Sequence, residues 1–237
     1  MTFLKNIGEI SVESTGRTTI EMVYEALRLA ILSGEVAPES RLRVEELRKK
    51  FGVGSSTVRE ALSRLLVENL VTTEGQRGFR AARMSVDDFK SIVEMRAMLE
   101  AKAVRESIEK GDDEWESAFV AAHHRLAKIE TEMAGHEQQA VGEWETRNRA
   151  FHDTMVAACT NAWLLNFRDI LYRHSVRYLQ IALTDRSIPR NVRAEHQAIF
   201  DAVIARDADL AEKLTIDHIY RSVPSIEARL SALKLSA

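Results

Sequence analysis

The 237-residue chain has one cysteine, three prolines, ten glycines and no long apolar run. Each scarcity excludes something. With Cys159 alone, no disulfide can form within one chain, so the framework of a small secreted domain is ruled out. Cys159 falls in a helical stretch and reads as a small core residue rather than a nucleophile. No segment approaches the ~18 apolar residues of a membrane span. The start, "MTFLKNIGEISVES", lacks the long apolar stretch of a signal peptide. A cytoplasmic protein with no membrane partner is expected. Because helix and strand breakers are so few, most of the chain reads as helix.

What is present is unevenly placed. The chain carries 33 basic and 36 acidic residues, a net charge of −3, and its total charge does not suggest nucleic acid. Residues 41–83, however, hold 10 Lys/Arg against 5 Asp/Glu. A basic block sits in an acidic protein. At 45% apolar residues the chain can bury a substantial core.

The spacing divides the chain into a lead-in at 1–17, a small domain at 18–83 and an all-helical domain at 84–237. In the small domain, Ile20, Val23, Leu27 and Ile31 share one face of a first helix, with Thr18 and Glu21 as a capping box. "EVAPESRLR" reads as a loop. A short helix follows with Val44, Leu47 and Phe51 inward, closed by Gly52. After the turn Gly52-Val53-Gly54, a third helix carries Val58, Ala61, Leu62, Leu65 and Leu66 as an apolar stripe. "LVTTEGQRGFRAA" then reads as a hairpin whose tip holds Gln76 and Arg77.

In a helix-turn-helix the second helix packs through one stripe while its N-terminal residues face the major groove. Ser55, Ser56, Thr57 and Arg59 occupy that place, where hydroxyls, a guanidinium and helix N-terminal amides suit phosphates and base edges. Arg41, Arg43, Gln76 and Arg77 can add contacts. The alternative for the same residues is an ordinary amphipathic helix, capped by Ser55 or Ser56, with Arg59 merely solvated.

"GEVAPESRLRVEELRKKFGVGSSTVREALSRLLVENLVTTEGQRGF" resembles the winged helix-turn-helix of GntR-type bacterial transcription regulators, typified by the "VREAL" core. The remainder resembles the FadR-type ligand-sensing domain called FCD, and the two resemblances span about residues 18–230. They imply a mainly α protein: an N-terminal winged helix-turn-helix and a C-terminal antiparallel all-α bundle of about six helices. Gly54 and Ser55 stand where family members commonly carry Ser or Thr and then Arg, so the bases read do not transfer from the family. A similar glycine variant occurs in the CsiR-like branch, which represses genes for using dicarboxylates such as glutarate.

In the helical domain the informative positions are polar interruptions of apolar faces. Arg96 lies in line with Phe89, Ile92, Leu99 and Ala103, and an inward guanidinium demands an anion, either a salt-bridge partner such as Glu100 or a group on a neighbouring helix, or a ligand carboxylate. FCD sensors place an arginine of this "E-x-R-x-x-L-E" stretch in the effector pocket. His152, His196 and His218 fall on inward faces of three helices and can meet at one divalent ion. The resemblance adds Asn148 as a fourth ligand, in a place where Asp is also found, and implies a weaker site for Zn, Ni or Mn. His174, Arg177 and Tyr178 are further candidates for the effector cavity.

The reading these features favour is a metabolite-responsive regulator, a repressor, that binds a pseudo-palindromic operator in double-stranded DNA as a homodimer. Its effector would be a small carboxylate or dicarboxylate. The alternatives are an all-α metal-dependent enzyme with an accessory nucleic-acid-binding module and a purely architectural DNA binder.

Overall fold

A computed structural model describes residues 18–73, 78–132, 141–183 and 191–233. The lead-in at 1–17 and the hairpin tip with Gln76 and Arg77 lie outside the described residues, as does Pro189. The first helix, α1 (Thr19–Leu32), opens on the expected capping box: Thr18 Oγ1 accepts from the Glu21 amide at 3.3 Å and Glu21 accepts from the Thr18 amide at 2.8 Å. Two of the orphan donors at a helix start are satisfied reciprocally. Next come β1 (Arg41–Leu42), α2 (Val44–Phe51), α3 (Ser55–Val67), β2 (Val71–Thr73) and β3 (Phe79–Ala81). Gly52 ends α2 at φ 64°, a left-handed conformation that costs glycine little.

Two expectations for this domain need correction. The stretch read as a loop contributes β1, which pairs antiparallel with β3 and makes a three-stranded wing in the order β1-β3-β2. That pairing joins residues distant in the sequence, Arg41 opposite Arg80 and Leu42 opposite Phe79, so local periodicity carries no trace of it. Leu66, assigned to the inward stripe of α3, is 36% exposed, whereas Val58, Ala61, Leu62 and Leu65 are fully buried. These four pack with Val23, Leu27, Ile31, Leu47 and Val71 in the core of the domain.

The second part is helical throughout its described residues: α4 (Val86–Lys110), α5 (Asp113–Glu132), α6 (Val141–Met155), α7 (Ala162–Leu183), α8 (Val192–Ile204), α9 (Ala208–Tyr220) and α10 (Val223–Ala232). Where the sequence suggests about six helices the described residues form seven, because the last is broken before Pro224, which takes a place in the first turn of α10. Ser85, Asn191 and Asp207 cap α4, α8 and α9 through their side chains.

The bundle has two apolar centres. Phe119, Phe151, Met155, Ile199 and Val203 fill one. Met84, Phe89, Ile92, Tyr178, Ile226 and Leu230 fill the other, so the linker residue Met84 is anchored among helices of the second part. In this frame α4 lies against α7 and α9, α5 against α6, and α7 also reaches α1 of the small domain. No helix among the described residues is long and apolar enough to cross a membrane.

Candidate functional site

In the small domain, α3 begins without a side-chain cap. Its N-cap is Gly54, so neither Ser55 nor Ser56 closes the helix start. Amides of the first turn therefore stay available to an anion. Ser56 and Arg59 are exposed, Ser55 and Thr57 half-buried. The Ser55 hydroxyl bonds the Glu45 carboxylate of α2, and Glu45 is held below the ordinary carboxylate range chiefly by its bond to Arg48. Arg41 is exposed on the edge strand of the wing, and exposed Arg43 pairs with Glu46 at 2.7 Å. Such an exposed pair contributes little and yields readily to a phosphate.

In the bundle, α6, α8 and α9 bring His152, His196 and His218 together, with one nitrogen from each lying within 4.8 Å of the others. All three are buried. Desolvation, followed by the charges that His218 and His196 would carry, pushes His152 well below the ordinary imidazole range, so it is neutral and able to ligate. His196 Nδ1 contacts Glu130 at 2.8 Å and His218 Nδ1 contacts Glu195 at 2.8 Å. A carboxylate on Nδ1 fixes the tautomer that leaves Nε2 for a metal. His196 Nε2 is indeed buried with no protein partner. This donor set fits a divalent ion.

Asn148 is buried one turn before His152, and its amide nitrogen donates to Tyr172 Oη at 3.4 Å. Its carbonyl oxygen is not used in that contact.

Arg96 is buried and reaches Glu100 through Nε at 3.4 Å and the Ser175 hydroxyl through Nη1 at 3.0 Å. Its guanidinium lies 4.7 Å from the Tyr172 ring centroid. Nearby Arg168 donates to Glu100 at 2.9 Å and to Asp153 at 2.5 Å. Burial works against the charge of Arg168, but Glu100 and Asp153 outweigh it and lift the guanidinium above its usual range. Tyr172 donates to Glu145 at 3.0 Å. Desolvation raises the Glu145 pKa, opposed by Tyr172, Arg96 and Arg149.

His174, Arg177 and Tyr178 have other contacts. His174 bonds the main chain of Glu68, the C-cap of α3. Arg177 donates to the Ala82 carbonyl at 2.6 Å, and Tyr178 donates to Asp88 while accepting from the Ser85 amide. The structure thus brings these three to the joint between the two parts rather than to Arg96.

Sequence reasoning missed Arg168, Tyr172, Ser175 and Glu145, and the carboxylates Glu130 and Glu195. The face of α7 that carries His174 and Tyr178 continues through Leu171 to Phe167, yet Phe167 is 51% exposed. The inward face is Leu164, Arg168, Tyr172 and Ser175, spaced i, i+4, i+8 and i+11. That spacing was readable, but apolar residues all round α7 hid its phase.

A winged helix-turn-helix with an open recognition-helix start, joined to a helical bundle with a buried polar site, defines a DNA-binding transcriptional regulator. Residues 19–80 match the bacterial regulatory proteins of the gntR family, and residues 91–221 match the FCD domain. The chain belongs to this family of transcriptional regulators, which are not enzymes.

The chain is 39% identical over 207 residues to the HTH-type transcriptional regulator BphR of Paraburkholderia xenovorans (strain LB400), covering 87% of this chain and 84% of that protein. It is 34% identical over 212 residues to the HTH-type transcriptional repressor GlaR of Escherichia coli (strain K12), covering 88% and 96%. The E. coli McbR/YncC structure shares the fold, with a TM-score of 0.70 at 18% identity over 90% of this chain and 98% of that one.

Proposed function

We propose that the protein is a metabolite-responsive repressor that binds a pseudo-palindromic operator as a homodimer. A small carboxylate in a metal-containing pocket of the bundle modulates its affinity for DNA. The observation that carries this reading is the buried imidazole trio with its unpaired Nε2, set in the same bundle as the buried Arg96. His152, His196 and His218, with the Asn148 carbonyl, would hold a divalent ion such as Zn, Ni or Mn. The ion supplies positive charge to an acidic effector. All four ligands are neutral, so an anion completing the coordination also balances the charge. Arg96 clamps the carboxylate.

At the other end, Ser55, Ser56, Thr57 and Arg59 face the major groove, with Arg41, Arg43, Gln76 and Arg77 on the flanking backbone. A two-fold operator calls for a two-fold protein. His174, Arg177 and Tyr178 couple the two ends, and the effector acts only through its differential affinity for two arrangements of the heads.

The test is a thermal-shift screen of C3 to C6 mono- and dicarboxylates with and without Zn, Ni or Mn, alongside metal analysis of untagged protein. We expect a shift with at least one acid that grows with metal, and metal lost from the His152→Ala/His196→Ala double variant. No shift from any acid, or equal metal in both proteins, sinks the corresponding half of the proposal.

A further inference from the structure

Besides the imidazole nitrogen, the same region buries two polar atoms with no protein partner: Nη2 of Arg168 and Oε2 of Glu145. Neither belongs to a side chain free to turn away. Arg168, at 4% side-chain exposure, is fixed by Glu100 and Asp153 through its other two nitrogens. The remaining oxygen of Glu145 is occupied by the Tyr172 hydroxyl. Tyr172 joins the two: the Arg168 guanidinium lies 5.7 Å from its ring centroid, that of Arg96 lies 4.7 Å away, and Glu145 sits at its hydroxyl end. Glu145 is also three residues before Asn148 and seven before His152, on one face of α6. A charged donor and an acceptor, both on side chains that contact Tyr172, therefore remain to be met, and a buried polar group left unmet costs stability.

We infer that the effector is a hydroxycarboxylate, its carboxylate received by Arg168 Nη2 beside Arg96 and its hydroxyl paired with Oε2 of Glu145. The inference rests on the carboxylate reading above and sharpens it. A plain methylene opposite Glu145 leaves the oxygen unmet. A second carboxylate there sets two acidic groups together, and an ammonium group stands close to Arg96, Arg149 and Arg168, whose guanidiniums surround Tyr172. A hydroxyl satisfies the oxygen without adding charge, and it can donate or accept.

The experiment is titration calorimetry on the full chain, Zn-loaded and metal-free, with three matched pairs: lactate and propionate, malate and succinate, 2-hydroxyglutarate and glutarate. In at least one pair the hydroxy acid should bind about tenfold tighter or more, as expected where a site is built to bond a hydroxyl. Glu145→Gln keeps the Tyr172 bond but turns an amide nitrogen to the ligand, which the hydroxyl can still accept from, so the preference should shrink. Glu145→Ala removes the partner altogether, and the ratio of hydroxy-acid to deoxy-acid affinity should fall towards one.

Deoxy acids that bind as tightly as their partners overturn the inference and leave the carboxylate reading standing. A hydroxyl preference that survives both variants overturns it too, since the metal alone then accounts for the preference. If none of the six acids binds, the carboxylate reading and this inference fall together. The wild-type comparison stands alone if a variant does not fold.

Discussion

Nothing among the described residues competes for Arg59: it is exposed on the first turns of α3 and makes no ion pair. Replacing it with alanine should weaken operator binding, by about 1–3 kcal/mol if the guanidinium meets a guanine edge, with folding and effector affinity intact. Binding isotherms at matched salt check this, and an unchanged isotherm removes Arg59 from the interface. Gly111 is constrained for a different reason. Its φ of −66° is ordinary, but a Cβ would lie 2.1 Å from Trp115 Cε3 and 2.7 Å from the Ser107 carbonyl. Gly111→Ala should therefore destabilise the bundle by about 1–3 kcal/mol, the usual cost of overpacking, read as a lower denaturation midpoint at unchanged slope. The residue patterns at 55–59 and at the three histidines were visible in the chain. The partners Glu130 and Glu195 were not, because a charged residue on a helix gives no sign of which helix it will face.

Among elements, α4 is tied to the turn between α6 and α7 through Glu106. Its Oε1 accepts from Lys110 at 2.8 Å and from the Thr160 amide at 2.9 Å, while Oε2 takes the Cys159 thiol at 3.3 Å. Lys110, then Thr160, pulls its pKa from 4.5 down to about 2. A carboxylate depressed on folding stabilises fully above its unfolded value, and that stability is lost as pH falls from about 4.5 towards about 2. The melting temperature of Glu106→Gln should thus be lower than wild type at pH 7, with the gap narrowing between pH 5 and pH 3. A gap independent of pH would show that the charge is not what matters.

Helix phase was legible where polar and apolar faces separate cleanly, as in α1, where Val23, Leu27 and Ile31 of the four residues the spacing selects are buried and Ile20 is half-buried. It failed on α7, where Trp163 and Phe167 are exposed at 71% and 51% while Arg168 is buried. There, an ion-paired guanidinium occupies the inside and aromatic rings the outside, reversing the usual signal.

At the scale of the whole molecule, α7 touches both ends of the protein. Tyr172 and Ser175 meet Arg96, while His174, two residues after Tyr172, bonds the C-cap of α3, and Arg177 holds the Ala82 carbonyl of the linker. Burial draws the Arg177 pKa below the ordinary guanidinium range, which marks how completely the joint encloses it. In Arg177→Gln, effector affinity measured by calorimetry on the free protein should stay near wild type. The ratio of operator affinities with and without effector, commonly about 5–150-fold in coupled systems, should fall towards one. A ratio that stays at the wild-type value would mean that coupling bypasses this contact.

The sequence by itself determined most of the helices, the capping box of α1, the recognition element and the three histidines, because these depend on residues a few positions apart. Only the tertiary structure decided that β1 joins the wing, that Arg177 and Tyr178 meet Ala82, Ser85 and Asp88 rather than Arg96, and that Arg168 and Glu145 lie beside Tyr172. Those outcomes depend on how whole helices rotate and dock to bury area and satisfy charges across the chain, and no local period records that.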